Sequence, residues 1–275
     1  MRHAKALHEL ARRYVIEPHQ TEQFAGAAVE RRAIDQPKVS ARQRLEQERD
    51  PSAPALTSVN EQSLSLKVCE LEDGDARAAY RNTQFDIRSY KKLKLFIHAE
   101  SVIDAAPIND GDLHAFIRIG SDFNENYYEY DVPLKISVPG SQDPYVIWPE
   151  GNNIEIILND LIQAKLARNA AMNTNPGITL LTPYPVKIGD RTIVIKGTPN
   201  LSSVRSIMLG IRNPKDASGT GGKLCGEVWF NELRLSDFDE QGGWASTARI
   251  TAKLADLGNM AIAGNHSTAG WGSIE

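Results

Sequence analysis

Four carboxylates stand close together in this chain, Asp122, Glu125, Glu129 and Asp131. Two carboxyl groups held at a fixed separation can hydrolyse a glycosidic bond, one as acid and one as base or nucleophile. In an extended segment, however, Glu129 and Asp131 share one face and Tyr128 and Tyr130 the other. The better reading is an exposed acidic edge beside a buried aromatic edge. His98 and His114 both fall in strand-like segments. A metal centre would need a third ligand and facing geometry, and structural histidines are the simpler reading. His266 lies in the polar turn Gly264-Asn265-His266-Ser267, with no nucleophile beside it. Asp73-Gly74-Asp75 and Asp110-Gly111-Asp112 invite calcium, which takes roughly six to eight oxygens. Neither stretch has the spaced carboxylates of a calcium loop, so both read as hairpin turns. Gly219-Thr220-Gly221-Gly222-Lys223 lacks the spacing and the following helix of a phosphate loop. No catalytic, cofactor-binding or metal site is assigned, and an enzyme is not expected.

The aromatic residues offer binding rather than catalysis. Tyr127, Tyr128, Tyr130, Tyr145, Trp148 and Trp229 could form a platform for a sugar or a partner, with Tyr128, Tyr130 and Trp148 the residues singled out. Packing in the core and at its rim is the competing use, and the favoured one. The chain has 275 residues, of which 41% are hydrophobic, enough for one large domain or two small ones with a packed core. A net charge of −4 gives no basic field, so nucleic acid is not an expected partner. The two cysteines, Cys69 and Cys225, exclude a disulfide-dense scaffold and a four-cysteine zinc site. No apolar run reaches the length of a membrane helix.

These residues have to be positioned by strands. Residues 1–55 are charged and rich in Arg, Glu, Gln and Ala, and read as a helical or poorly ordered arm, with helices predicted at Ala6–Val15 and Ala41–Glu48. From residue 56 the texture is β. Alternation predicts strands over Ser63–Leu71, Ala76–Arg81, Lys91–Ala99, Leu113–Gly120, Asn126–Pro133 and Arg191–Lys196, with turn signals between them. One helix is predicted over Leu158–Met172, with Leu161, Ile162, Lys165 and Leu166 at helical spacing and Asn159 or Asp160 as its cap. Gly226-Glu227-Val228-Trp229-Phe230-Asn231-Glu232-Leu233-Arg234-Leu235 reads as a half-buried strand with a slip near Asn231. The expected fold is all-β: an antiparallel, jelly-roll-like sandwich over residues 56–240, with the strand near Ser63 beside the strand near Glu227.

Residues 241–275 change character. Ala248, Ile250, Ala252 and Leu254 share one face of a strand, and Thr247, Arg249, Thr251 and Lys253 share the other. A thin apolar face against a charged one is the signature of a membrane barrel strand, and Asp256-Leu257-Gly258-Asn259 turns into a second. The segment therefore reads as the start of an outer-membrane barrel, with the chain a piece of a longer protein.

Several blocks together resemble the SprA/Sov family: Asn60-Glu61-Gln62-Ser63-Leu64, Glu72-Asp73-Gly74-Asp75-Ala76-Arg77-Ala78, Phe116-Ile117-Arg118-Ile119-Gly120-Ser121-Asp122, Tyr127-Tyr128-Glu129-Tyr130, Trp148-Pro149-Glu150-Gly151-Asn152, Ile211-Arg212-Asn213-Pro214, Asn231-Glu232-Leu233-Arg234-Leu235 and the tail segments Thr251–Gly258 and Ala263–Thr268. The resemblance covers roughly residues 56–275. It implies a fragment of the giant outer-membrane translocon of type 9 secretion and gliding motility, with no catalytic residues. It further implies partners among the other secretion components and the exported proteins, and an outer-membrane location. The sandwich would then lie in the periplasm or at the cell surface. In such an oxidising setting Cys69 and Cys225, one in each expected terminal strand, are either a disulfide or two small buried thiols. The competing functional reading is a freestanding carbohydrate-binding sandwich; a third is a glycoside hydrolase fragment.

Overall fold

The computed structural model describes residues 27–33, 62–138, 140–141, 143–218, 221–238 and 244–268. The chain divides into two compact units, Met1–Asp237 and Phe238–Glu275.

The first unit is two antiparallel sheets packed together. One has the order β1 (Ala27–Ala33), β2 (Gln62–Leu71), β11 (Leu224–Phe238), β4 (Tyr90–Ser101), β7 (Ile154–Ile157). The other has the order β3 (Ala76–Phe85), β10 (Val204–Arg212), β5 (His114–Gly120), β6 (Tyr127–Pro133), β9 (Arg191–Lys196), β8 (Tyr184–Ile188). The strands form where the sequence alternates, because every second side chain of a strand reaches the same face. Leu64, Leu66 and Val68 of β2, Leu95 and Ile97 of β4, and Val228 and Phe230 of β11 enter the core from one sheet. Ile117 and Ile119 of β5, Tyr128 and Tyr130 of β6, Ile193 and Ile195 of β9, and Leu209 and Ile211 of β10 meet them from the other. Burying each large aliphatic side chain contributes about 1.5–3 kcal/mol relative to leaving it in water.

The expected neighbours are neighbours: β2 pairs with β11 in a register that sets Leu64 opposite Phe230 and Lys67 opposite Glu227. The two Asp-Gly-Asp segments are turns, with Gly74 at φ 79° and Gly111 at φ 85°, where a side chain would be strained. Glu232, just after Asn231, has φ 51°, a local distortion at the expected slip.

Three expectations need correction. Within the arm, Ala27–Ala33 is a strand paired with β2, although its composition favours a helix. An open edge of hydrogen-bonding groups on β2 outweighs a weak local preference. The arm helices expected at Ala6–Val15 and Ala41–Glu48 lie outside the described residues. The helix near residue 160 exists as α2 (Leu158–Thr174), but its buried stripe is Leu158, Leu161, Ala164 and Arg168, while Ile162 and Leu166 face solvent. Its N-cap is Ile157, with no side-chain cap, because the helix continues directly from β7. A four-residue helix, α1 (Pro144–Ile147), capped by Asp143, precedes it.

The second unit is a two-stranded antiparallel hairpin, β12 (Ala245–Leu254) with β13 (Gly258–Ser267), joined by a 3₁₀ turn over Ala255–Leu257. No closed barrel is formed among the described residues. Every residue of β13 is exposed. Ile250 at 63% and Ile262 at 56% exposure lie directly opposite one another.

Core and hairpin should respond differently to truncation. Leu66→Ala, at a fully buried position, should cost about 2–5 kcal/mol of unfolding free energy. Ile250→Ala should change it by less than about 0.5 kcal/mol. Urea titration followed by tryptophan fluorescence measures both; equal losses would contradict the burial assigned here.

Candidate functional site

The acidic edge is not exposed. Glu129 and Asp131 project from the face of the β3–β8 sheet that points away from the core, yet they are 2% and 7% exposed. The cross-strand register explains this, since it sets Arg118 of β5 opposite Glu129 and Phe116 opposite Asp131. Arg118 pairs with Glu129. Arg212 of β10 spans both carboxylates, 2.9 Å from Glu129 and 2.7 Å from Asp131, and His114 bonds the second oxygen of Asp131. Aromatic rings complete the lattice. The Arg118 guanidinium lies 4.3 Å from the centre of Tyr127, and that of Arg212 lies 4.8 Å from the centre of Phe116. Burial alone would lower the Arg212 pKa, but Glu129 and Asp131 reverse this and hold it above its ordinary value. Burial also pushes the Tyr127 phenol up. Charges buried this way are tolerable only because each carboxylate is paired. Neither carboxylate is open to a glycoside, because the paired arginines and the rings around them cover both.

On the other sheet, His98 is 1% exposed. Its Nδ1 lies 2.6 Å from the Ile147 carbonyl, which can only accept, so Nδ1–H donates there; Nε2 lies 3.2 Å from Glu100. Beside it Glu227, 6% exposed, accepts from Trp229 Nε1 at 2.7 Å and from Ser65 Oγ at 3.0 Å. Phe96, Ile147, Trp148 and Trp229 close over these groups as a small second core. The segment that carries α1 thus covers this sheet's outer face.

The residues singled out as a possible ligand or partner surface are buried, in line with the packing use favoured for them. Tyr128 and Tyr130 lie in the main core and Trp148 in the small one, so none offers a ring face to solvent. Burial pushes the Tyr128 phenol up to about 12. Tyr145, in α1, is exposed. The turn aspartates act as acceptors for backbone N–H groups: Asp73 from Asp216, Asp110 from Ile136, and Asp112 from Asn109. Among the described residues no group of three or more His, Cys, Asp or Glu could hold a metal ion. The glycine-rich segment beginning at Gly219 lies partly outside the described residues. Its Lys223 pairs with Glu70 at 2.9 Å. His266 packs against Trp244 in the hairpin, with ring centres 5.1 Å apart.

Cys69 and Cys225 are joined by a disulfide, with Cα atoms 4.0 Å apart. The ladder pairs Leu71 with Leu224 and Val68 with Gly226, so Cys69 and Glu70 together face Cys225. That is a β-bulge, and Glu70 takes up the distortion at φ 57°.

Sequence reasoning missed Arg118, Arg212 and Glu227. Arg118 and Arg212 interrupt or end otherwise apolar strands, and a charge in such a place signals a partner across the sheet. What was missing was the register that supplies the partner.

The fold and these clusters define a class first: a two-sheet antiparallel sandwich whose ionisable residues are paired into structure, followed by an exposed hairpin. The family model described as SprA_N, motility related/secretion protein, matches residues 42–275, and the chain belongs to that family. Comparison with curated proteins gave no match.

Two outcomes follow from the geometry. The disulfide closes a sequence separation of 156 residues. Replacing both cysteines with serine should lower unfolding free energy by about 2–5 kcal/mol, read by urea titration under non-reducing conditions. The second concerns Asp122. Burial raises its pKa, but the Asn126 side chain and the backbone N–H groups of Glu125, Asn126 and Asn124 outweigh that and hold it below the ordinary carboxylate value. Its contribution is therefore present above the unfolded value of about 3.9 and is lost as pH falls through the lower folded value. The amide resonances of Asn124–Asn126 should titrate with a midpoint below about 3.9. Asp122→Asn should abolish that titration. A midpoint at or above the unfolded value would contradict it.

Proposed function

We propose that this chain is a jelly-roll domain together with the first strands of the barrel in an outer-membrane translocon of type 9 secretion and gliding motility. Its role is structural and partner-binding, and its partners are other secretion components and the exported proteins. The sandwich works outside the cytoplasm, a setting that the disulfide supports. Three things support the wider reading: membership of a motility and secretion family, the strand order, and the hairpin. In the strand order, β2-β11-β4-β7 packs on β3-β10-β5-β6, as the two four-stranded sheets of a jelly roll do, with β1 added at the edge of the first sheet and β9 and β8 at the edge of the second.

The observation that carries the proposal is the hairpin. Ala248, Ile250 and Ala252 lie opposite Gly264, Ile262 and Met260 on one face. Thr247, Arg249, Thr251 and Lys253 lie opposite Asn265, Ala263, Ala261 and Asn259 on the other. Among the described residues β12 and β13 pair only with each other, so each has a further edge to offer. A two-stranded ribbon with one thin apolar face is marginal in water but suits a wall between lipid and an aqueous lumen.

Cysteine scanning in the full-length protein in its own membrane tests this. Ile250→Cys, Ala252→Cys and Ile262→Cys should resist a water-soluble maleimide, whereas Arg249→Cys and Thr251→Cys should react. Uniform reactivity along β12 would overturn the barrel reading.

A further inference from the structure

The disulfide does not lie in the core. Cys69 is exposed and Cys225 half-buried, and both line a groove of about 390 Å³ on the sandwich surface. One wall is the loop after β4, formed by Val102, Ile103, Asp104, Ala105 and Ala106, and the other carries Glu70 and Lys223. Ile103 stands 85% exposed, the most open of the large apolar side chains on the described surface. A loop that holds an isoleucine out into water beside an accessible disulfide combines an anchor with a reacting group. The bulge adds to this, since it turns Cys69 out of the regular ladder.

We propose that the Cys69–Cys225 disulfide is a thiol–disulfide exchange site, and that the groove beside it docks a dithiol oxidoreductase through Ile103. The partner's first thiolate attacks Sγ of Cys69. A mixed disulfide forms as the Cys69–Cys225 bond breaks, and the electron pair leaves on Cys225 Sγ, which takes a proton from water. The partner's second thiol, deprotonated, then attacks its own first sulfur and releases Cys69 as a thiolate that is protonated in turn. Two electrons and two protons pass to this chain, and the dithiol becomes a disulfide; oxidation of the reduced chain is the reverse. Lys223 stays protonated beside the leaving sulfur's strand, because Glu70 and then Glu72 hold its pKa above the ordinary lysine value. The opposite fate, an inert bridge that only ties two strands, requires the sulfurs to be shielded, and here the groove opens onto them.

The chemistry does not depend on membrane insertion, so its failure and that of the barrel reading are distinguishable. The full chain is treated, without denaturant, with dithiothreitol and separately with thioredoxin as a model dithiol protein. Free thiols are trapped with a mass-tagged maleimide at successive times. Both reagents should reduce the bond while circular dichroism stays that of the folded protein. Ile103→Asp should slow the thioredoxin reaction by about five-fold or more, as loss of an interface anchor does, and leave the dithiothreitol rate unchanged. Reduction only after unfolding would overturn the exchange site. Equal thioredoxin rates for the two proteins, or equal slowing with both reagents, would overturn the docking role of Ile103.

Discussion

The pairing of β2 with β11 is the constraint on which the rest of the sandwich depends. These strands are the first of the continuous β region and the last of the first unit, and every other strand of that region lies between them in sequence. Bringing them together closes the longest loop in the domain, and non-local pairing of this kind costs chain entropy before any contact rewards it. Leu64, Leu66, Val68, Val228 and Phe230 meet that cost by burial, and a covalent link at the end of the ladder reduces it further by restricting the unfolded chain. With that pair in place, β4 and β7 extend the first sheet, and the crossings to β3, β5, β6 and β10 build the second.

The two outer faces solve the same problem by different physics. On the sheet that holds β2 and β11, a segment of chain folds back and its Ile147 and Trp148 close over Phe96 and Trp229. On the other sheet, Arg118, Arg212, Glu129 and Asp131 lie across the strands and shield one another with the rings of Phe116 and Tyr127. Arginine suits this use, because its planar fork bonds a carboxylate while its flat face rests on an aromatic ring.

How much of this could be read from the sequence depended on periodicity. Alternation located β2, β4, β5, β6 and β9, and glycine between aspartates located two turns, because in both cases the determining geometry is local. The pairing of the terminal strands was legible through knowledge of how such sandwiches close. β7 and β8 escaped, being too short to alternate clearly, and β1 escaped because its Ala- and Arg-rich composition says helix while an open strand edge decides otherwise. The use of the tyrosines stayed open between core and ligand surface for a related reason. A tyrosine in an alternating strand is equally compatible with core and rim, and only the partner sheet determines which. The same alternation set Glu129 and Asp131 on one face but could not show that two arginines from neighbouring strands waited there.

The crossing segment that carries Trp148 has one more consequence. It makes the two outer faces of the sandwich chemically unlike: one is covered by a crossing segment of chain, while the other carries a lattice of fixed charges and rings on the sheet. A neighbour approaching the first side would meet the segment that seats Ile147 and Trp148. A neighbour approaching the second would meet a flat, pre-arranged plate whose polar groups already have fixed directions. The domain therefore has a handed presentation. Turning the sandwich over would offer a different material altogether.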